Sequence, residues 1–256
     1  MNSLRFYYDH SLLGHFCRRA KHELRHRRER KLRDPAWCET HGIKLGLEGL
    51  HPDMVAVLRS GSYERSEVEI VSRLVHAQDR VLELGGAIGA VALFCRKVLG
   101  VTELVSVEPN PATAERLEEN FEANGFRPHI IRAALSEHDG LVKLAHTDMF
   151  WEDSIITEHG TERTTIEVQG LTLESLGKLV PFEYNTLIVD VEGAEVYLRP
   201  ESIPAAVRKL LIEMHPKVIG PQRCFRLVED LILAGFRIEC VVADCWAFLR
   251  GYSIDD

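Results

Sequence analysis

The sequence predicts an α/β protein built on an open, mainly parallel sheet with helices on both faces, and three observations carry that prediction. From residue 66 onward, apolar strand-like runs alternate with helix-length amphipathic segments, as when crossover helices cover both faces of a parallel sheet. The first of these strands, VLEL (81–84), runs into a glycine turn, GGAIG (85–89). A later one, within LIVDVEGAE (187–195), ends on Asp190, Glu192 and Glu195, with Gly193 among them.

Taken in order, Ser66 to His76 places Val68, Val71, Leu74 and Val75 at helical spacing. After VLEL and its turn comes the apolar helix AVALFCRKVLG, then the strand LVSVE (104–108). The next helix, PNPATAERLEENFEANG, has proline near its start and Gly125 just past its end. PHIIRAAL (128–135) reads as a third strand, while LVKLAH (141–146) and TTIEVQGL (164–171) read as a peripheral pair around a polar insert. TLIVDV (186–191) and VRKLLIEM (207–214) are the next strands. The helix PQRCFRLVEDLILAG and two closing strands, FRIECVV and CWAFLR, finish the chain, the last two as an antiparallel edge. The expected division is a basic helical appendage over 1–60 and the sheet domain over 61–256.

Composition narrows the function classes. With 256 residues and 45% hydrophobic composition, the chain can bury a large core. It contains no apolar run of membrane-spanning length and no signal-peptide pattern at its start, so the expectation is a cytoplasmic protein with no membrane partner. Six scattered cysteines without a CxxC pair fit buried thiols, not a disulfide frame or a zinc site. The net charge of −8 divides unevenly: residues 1–33 carry ten Lys/Arg against three Asp/Glu, and the remainder is strongly acidic. The basic stretch 16–34 reads as a solvated helix that docks on the body or joins a homo-oligomer contact, with an arm for RNA or another anionic partner as the alternative. An acidic body disfavours nucleic acid as the main substrate.

In open parallel sheets ligands sit beyond the carboxyl ends of the strands. Gly85, Gly86 and Gly89 let backbone approach a ligand there. Glu83 beside that turn would repel a pyrophosphate and welcome a cationic ligand. Glu108, at the end of the second strand and next to Pro109, can accept both ribose hydroxyls of an adenosine group. Tyr63 and Glu64, just ahead of the first helix of the sheet domain, are placed to fold over the same ligand.

VLELGGAIG, VSVEPNP, LIVDVEGAE and LLIEMH resemble the FkbM family of S-adenosylmethionine-dependent methyltransferases, over roughly residues 60–250. The resemblance implies a Rossmann-like class I methyltransferase fold: a seven-stranded sheet of order 3-2-1-4-5-7-6, with S-adenosylmethionine lying over GGAIG. It places Glu83 and Gly85 near the methionine moiety, Glu108 on the ribose, and Ala134 and Leu135 beside adenine. The family's first turn commonly reads DxGANxG; here Glu83, Gly86 and Ala87 replace the acid, alanine and asparagine.

Methyl transfer needs an aligned nucleophile and somewhere for its proton to go. Asp190 closes the fourth strand, and Glu192 shares its side if the strand persists. Glu195 starts the next helix, and Glu213 and His215 share a side at the end of the fifth strand. Asp190, Glu192, Glu213 and His215 are therefore the candidate catalytic groups, with His215, near pKa 6.5, a candidate base. Glu192, Glu195 and Trp151, the last within the apolar trio Met149, Phe150 and Trp151, are the candidate substrate contacts. No metal-ligand set is assigned, and a divalent metal is not favoured. The expected activity is O-methylation of a small hydroxylated molecule, such as a sugar or a secondary-metabolite intermediate. The alternatives are methylation of an amine or of RNA through the basic arm, and a non-catalytic binding module.

Overall fold

The computed structural model describes residues 36–146 and 164–251. The basic segment 16–34 and the trio Met149, Phe150 and Trp151 lie outside the described residues, so the roles expected of them stay expectations.

A compact unit begins at Trp37. Strands β1 (Trp37–Thr40) and β2 (Ile43–Gly46) form an antiparallel hairpin, followed by helix α1 (Pro52–Ser60). These elements pack within the compact unit that begins at Trp37. Ile43, Leu45 and Leu58 are fully buried in the same apolar cluster as Val81, Leu93 and Phe121. The buried Asn120 side chain accepts from Gly46 N at 2.8 Å and donates to Ile88 O at 2.8 Å, tying the hairpin to the first turn.

Helix α2 (Arg65–Leu74) leads to strand β3 (Arg80–Leu84). Helix α3 (Ala90–Leu93) continues as a π turn over Phe94–Val98, and strand β4 (Glu103–Val107) and helix α4 (Pro111–Ala123) follow. Asn110 caps α4 by accepting from Ala112 N, and Pro111 opens it. The expected third strand is broken in two: β5 (Ile130–Ile131) pairs with β4, then Ala133 N turns back onto Ile131 O at 3.1 Å. The chain leaves the sheet there, and β6 (Ala134–Leu135) pairs with β8 (Thr164–Leu171), itself antiparallel to β7 (Gly140–His146). Helix α5 (Leu173–Leu179), strand β9 (Thr186–Val189), strand β10 (Lys209–Glu213), helices α6 (Pro216–Ile219) and α7 (Pro221–Leu233), and strands β11 (Phe236–Val242) and β12 (Cys245–Arg250) complete the body.

The main sheet runs β11-β12-β10-β9-β3-β4-β5. Only β12 is antiparallel to its neighbours. Counting the strands of this sheet alone in chain order and reading from the β5 edge, the order is 3-2-1-4-5-7-6. Period-two alternation sorts each strand's side chains between two cores: Leu82, Val105, Leu187 and Leu210 on one face, Val81, Leu104, Ile188 and Leu211 on the other. Between β3 and β9 the sheet reverses its winding, which opens a crevice at their carboxyl ends. At the opposite end, Lys209 Nζ donates to Asp79 Oδ2 at 2.6 Å; both side chains are buried, and Asp79 also accepts from His76 N.

Candidate active site

The crevice is built by one close approach. Gly85, with φ +87°, packs so tightly on the end of β9 that a Cβ would lie 1.5 Å from Asp190 O. Asp190 N donates to Leu84 O, and Gly85 N and Gly86 N both donate to Val107 O. Glycine is therefore required where the turn meets the acid-bearing loop. Gly86 and Gly89 serve packing: their Cβ atoms would press on Leu117 of α4, and at Gly89 on Phe121 as well.

Two adjoining cavities share Tyr63, Glu64, Gly85, Ala87 and Asp190. The outer one has apolar walls from Leu84, Val107, Ala134 and Leu135, with Glu108, Pro109 and Glu192 at its polar side. The inner one lies under α2 and brings together Glu67, Glu83, Gly86, Glu213, Cys245 and Trp246. Among the described residues no lysine or arginine lines either cavity. Glu64 (φ 51°) and Ala87 (φ 44°) of the shared wall, and Glu192 (φ 47°) of the outer cavity, hold left-handed backbone, a conformation that costs a residue with a Cβ about 1–2 kcal/mol.

The acids differ in their surroundings. Glu108 accepts from Ala87 N and Asn110 N, both at 2.9 Å, which aims its carboxylate across the first turn. Glu83 is buried beneath the turn and accepts from Ser106 Oγ at 2.5 Å. Burial raises it to about 8, against the lowering effect of that hydrogen bond. Burial and then the nearby Glu67 push Glu64 well up, and the same two causes take Glu213 to about 8. Asp190 is raised by burial and by Glu213 and Glu64. Its Oδ1 is buried without a hydrogen-bond partner. Cys245 Sγ donates to Glu67 Oε1 at 2.7 Å.

His215 sits in the middle of this charge. Its Nε2 is 3.3 Å from Glu192 Oε2 and 3.6 Å from Asp190 Oδ1, and its Nδ1 is 3.2 Å from Glu195 Oε1. Burial alone would lower its basicity, but hydrogen bonds to Glu192 and Glu195 and the charges of Asp190 and Glu192 push it up to about 12. These contacts favour the protonated imidazole.

Glu195 also departs from expectation. It is fully buried and lines neither cavity; Oε2 accepts from Gly193 N at 2.8 Å and Oε1 from His215 N at 2.9 Å. It therefore holds the His215 loop to Gly193, and its helix is a single 3-10 turn, Ala194–Tyr197. The strand expected to persist to Val191 ends at Val189, so Glu192 reaches the outer cavity by its left-handed turn and not by strand alternation. Sequence reasoning missed Glu67 and Cys245. The signal for Glu67 was its place three residues after Glu64, in the first turn of α2; Cys245 pairs across the sheet with Glu213, a register no local pattern reveals.

No family model matches the sequence, and no curated protein sequence matches it. Solved structures are similar in fold. A methyltransferase from Pyrococcus furiosus is 13% identical, with 82% of this chain and 90% of that chain covered and a TM-score of 0.47. A caffeoyl-CoA O-methyltransferase described as putative, from Staphylococcus aureus, is 11% identical over 73% and 84%, with a TM-score of 0.47. Aeropyrum pernix fibrillarin, crystallised with natively bound S-adenosyl-L-methionine, is 13% identical over 71% and 72%, with a TM-score of 0.45. Likenesses this distant carry no argument about ligand or reaction.

Proposed function

We propose that this chain is an S-adenosylmethionine-dependent methyltransferase that methylates a hydroxyl of a small molecule. The observation that carries the reading is the placement of Glu108 and Asp190 on opposite sides of the Gly85 turn, in one cavity with apolar walls. Glu108, aimed by two backbone N–H groups, presents a carboxylate of the kind that accepts from a ribose diol. Leu84, Val107, Ala134 and Leu135 suit an adenine ring, and the wall acids suit a donor that carries ammonium and sulfonium charge. The donor, when bound, supplies an electrophilic methyl group. Asp190, which lines both cavities, is the group proposed to take the acceptor's proton, since His215 lines neither. The inner cavity, with Tyr63, Glu213 and Trp246, is the proposed acceptor side.

The sequence element DVEGAE resembles that of FkbM-type S-adenosylmethionine-dependent methyltransferases and supports the methyl-transfer reading. An RNA acceptor is disfavoured, since its phosphates would meet carboxylates with no lysine or arginine among the described lining residues. Calorimetry with the demethylated donor, S-adenosylhomocysteine, tests the reading: binding is expected, and Glu108→Ala should weaken it at least tenfold. Asp190→Asn should retain the fold and lose turnover on any hydroxylated acceptor found in a screen. No binding by the folded wild-type chain would overturn the proposal.

A further inference from the structure

We propose that Asp190, Glu213 and His215 form a binding site for one divalent metal ion of the Mn2+ type, at the junction of the two cavities. One donor atom from each residue, two carboxylate oxygens and an imidazole nitrogen, lies within 4.8 Å of the others. Atoms bonded to a common ion at about 2.0–2.3 Å lie within about 4.6 Å of each other, so small side-chain adjustments close the shell.

Two further features point to a cation. The first is Asp190 Oδ1, buried from solvent and without a hydrogen-bond partner. His215 Nε2, at 3.6 Å, is too far to hydrogen-bond this oxygen, and the gap is one that a shared ion would close. The second is the way His215 is held. Glu195, itself fully buried, engages Nδ1 and the backbone N–H of His215, which directs Nε2 toward Asp190 and Glu192. An imidazole held through one nitrogen by a carboxylate and presenting the other is the usual outer-shell arrangement of a metal-ligating histidine. Binding replaces a proton on Nε2 with the ion and releases that proton to solvent.

Glu67, Glu213 and Cys245 make a second such cluster around the same glutamate. There the thiol is already engaged as a donor to Glu67, which favours the first cluster. Two carboxylates with one imidazole suit Mn2+ better than a thiol-seeking ion. An ion there would face the inner cavity, where it could bind an acceptor hydroxyl and lower its pKa. The site is argued from these residues alone and does not depend on the methyl-transfer reading.

The test uses the full chain and Mn2+ alone. Free Mn2+ measured by electron paramagnetic resonance should show one tight equivalent per chain, and pulsed spectra of the wild type should show coupling to a single imidazole nitrogen. Glu213→Gln and His215→Gln should each abolish the tight equivalent, and Glu195→Gln should weaken it by about 10–100-fold. Glu229→Gln, at a solvent-facing position on α7, should leave it intact. No tight equivalent, no nitrogen coupling, or tight binding unchanged in the folded Glu213→Gln and His215→Gln variants would each overturn the proposal. Calorimetry with S-adenosylhomocysteine on the same samples separates the two readings, since loss of either binding leaves the other measurable.

Discussion

Replacing Gly85 with alanine would put a methyl carbon 1.5 Å from Asp190 O. A tolerable contact between carbon and a carbonyl oxygen is about 3.3 Å, so the turn would have to retreat by nearly 2 Å. That retreat would break the 2.9 Å bond from Asp190 N to Leu84 O, worth about 1 kcal/mol net. Holding an alanine at φ +87° adds about 1–2 kcal/mol, and overpacking adds about 1–3 kcal/mol. A loss of about 3–6 kcal/mol is expected, which in a body of this size lowers the melting temperature by about 6–24 °C. Two residues away the sign reverses. Ala87 is already in left-handed backbone, φ 44°, where asparagine is far better tolerated. Ala87→Asn should therefore raise stability by a few tenths to about 1 kcal/mol. Thermal and urea unfolding of both variants would check the pair. A Gly85→Ala protein that melts within about 3 °C of wild type, or an Ala87→Asn protein that is clearly less stable, would refute the close-approach argument.

Glu83 is raised in the folded chain from 4.5 to about 8, so the folded state holds its proton where the unfolded state has released it. Stability should fall as pH rises from about 4.5 through 8 and then level off, by an amount on the order of 5 kcal/mol. Glu83→Gln should flatten that slope in melting curves taken from pH 5 to 9; parallel curves would count against a protonated Glu83. Lys209→Met leaves Asp79 buried with only its bond from His76 N, and should cost about 3–5 kcal/mol in urea unfolding. The double change Lys209→Met with Asp79→Asn should recover part of that loss. His215, pushed up to about 12, contributes stability that is fully present below about 6.5 and lost as pH rises toward 12. The stability gap between wild type and His215→Gln should therefore be widest near pH 6 and narrow at pH 9, by differential scanning calorimetry.

Much of the fold was legible because it follows from period. Buried strands such as LIV (187–189) and LLI (210–212) are apolar on both faces, and α4 carries proline at its start and glycine past its end. The third strand was misread because Ile130, Ile131 and Ala133–Leu135 are apolar on both sides of Arg132, and a single arginine does not mark the point where the chain changes sheets. The packing of the hairpin and α1 was not legible, because 37–60 is short and mixed in composition and its burial depends on α4. At the site, Gly85, Glu108 and Asp190 were readable from their places at strand ends. The roles of His215 and Glu195 were not, because they depend on distances between loops after two different strands.

Glu195 ties those two loops together. One carboxylate oxygen takes the amide of Gly193 and the other takes both His215 groups, so the stretch after β9 and the stretch after β10 share a buried rivet. Asp190 and His215 are therefore not independently mobile on the crevice rim. A fluctuation that swings one of them outward must carry the other with it or break buried hydrogen bonds. The two loops at this end of the sheet are thus coupled through one buried side chain.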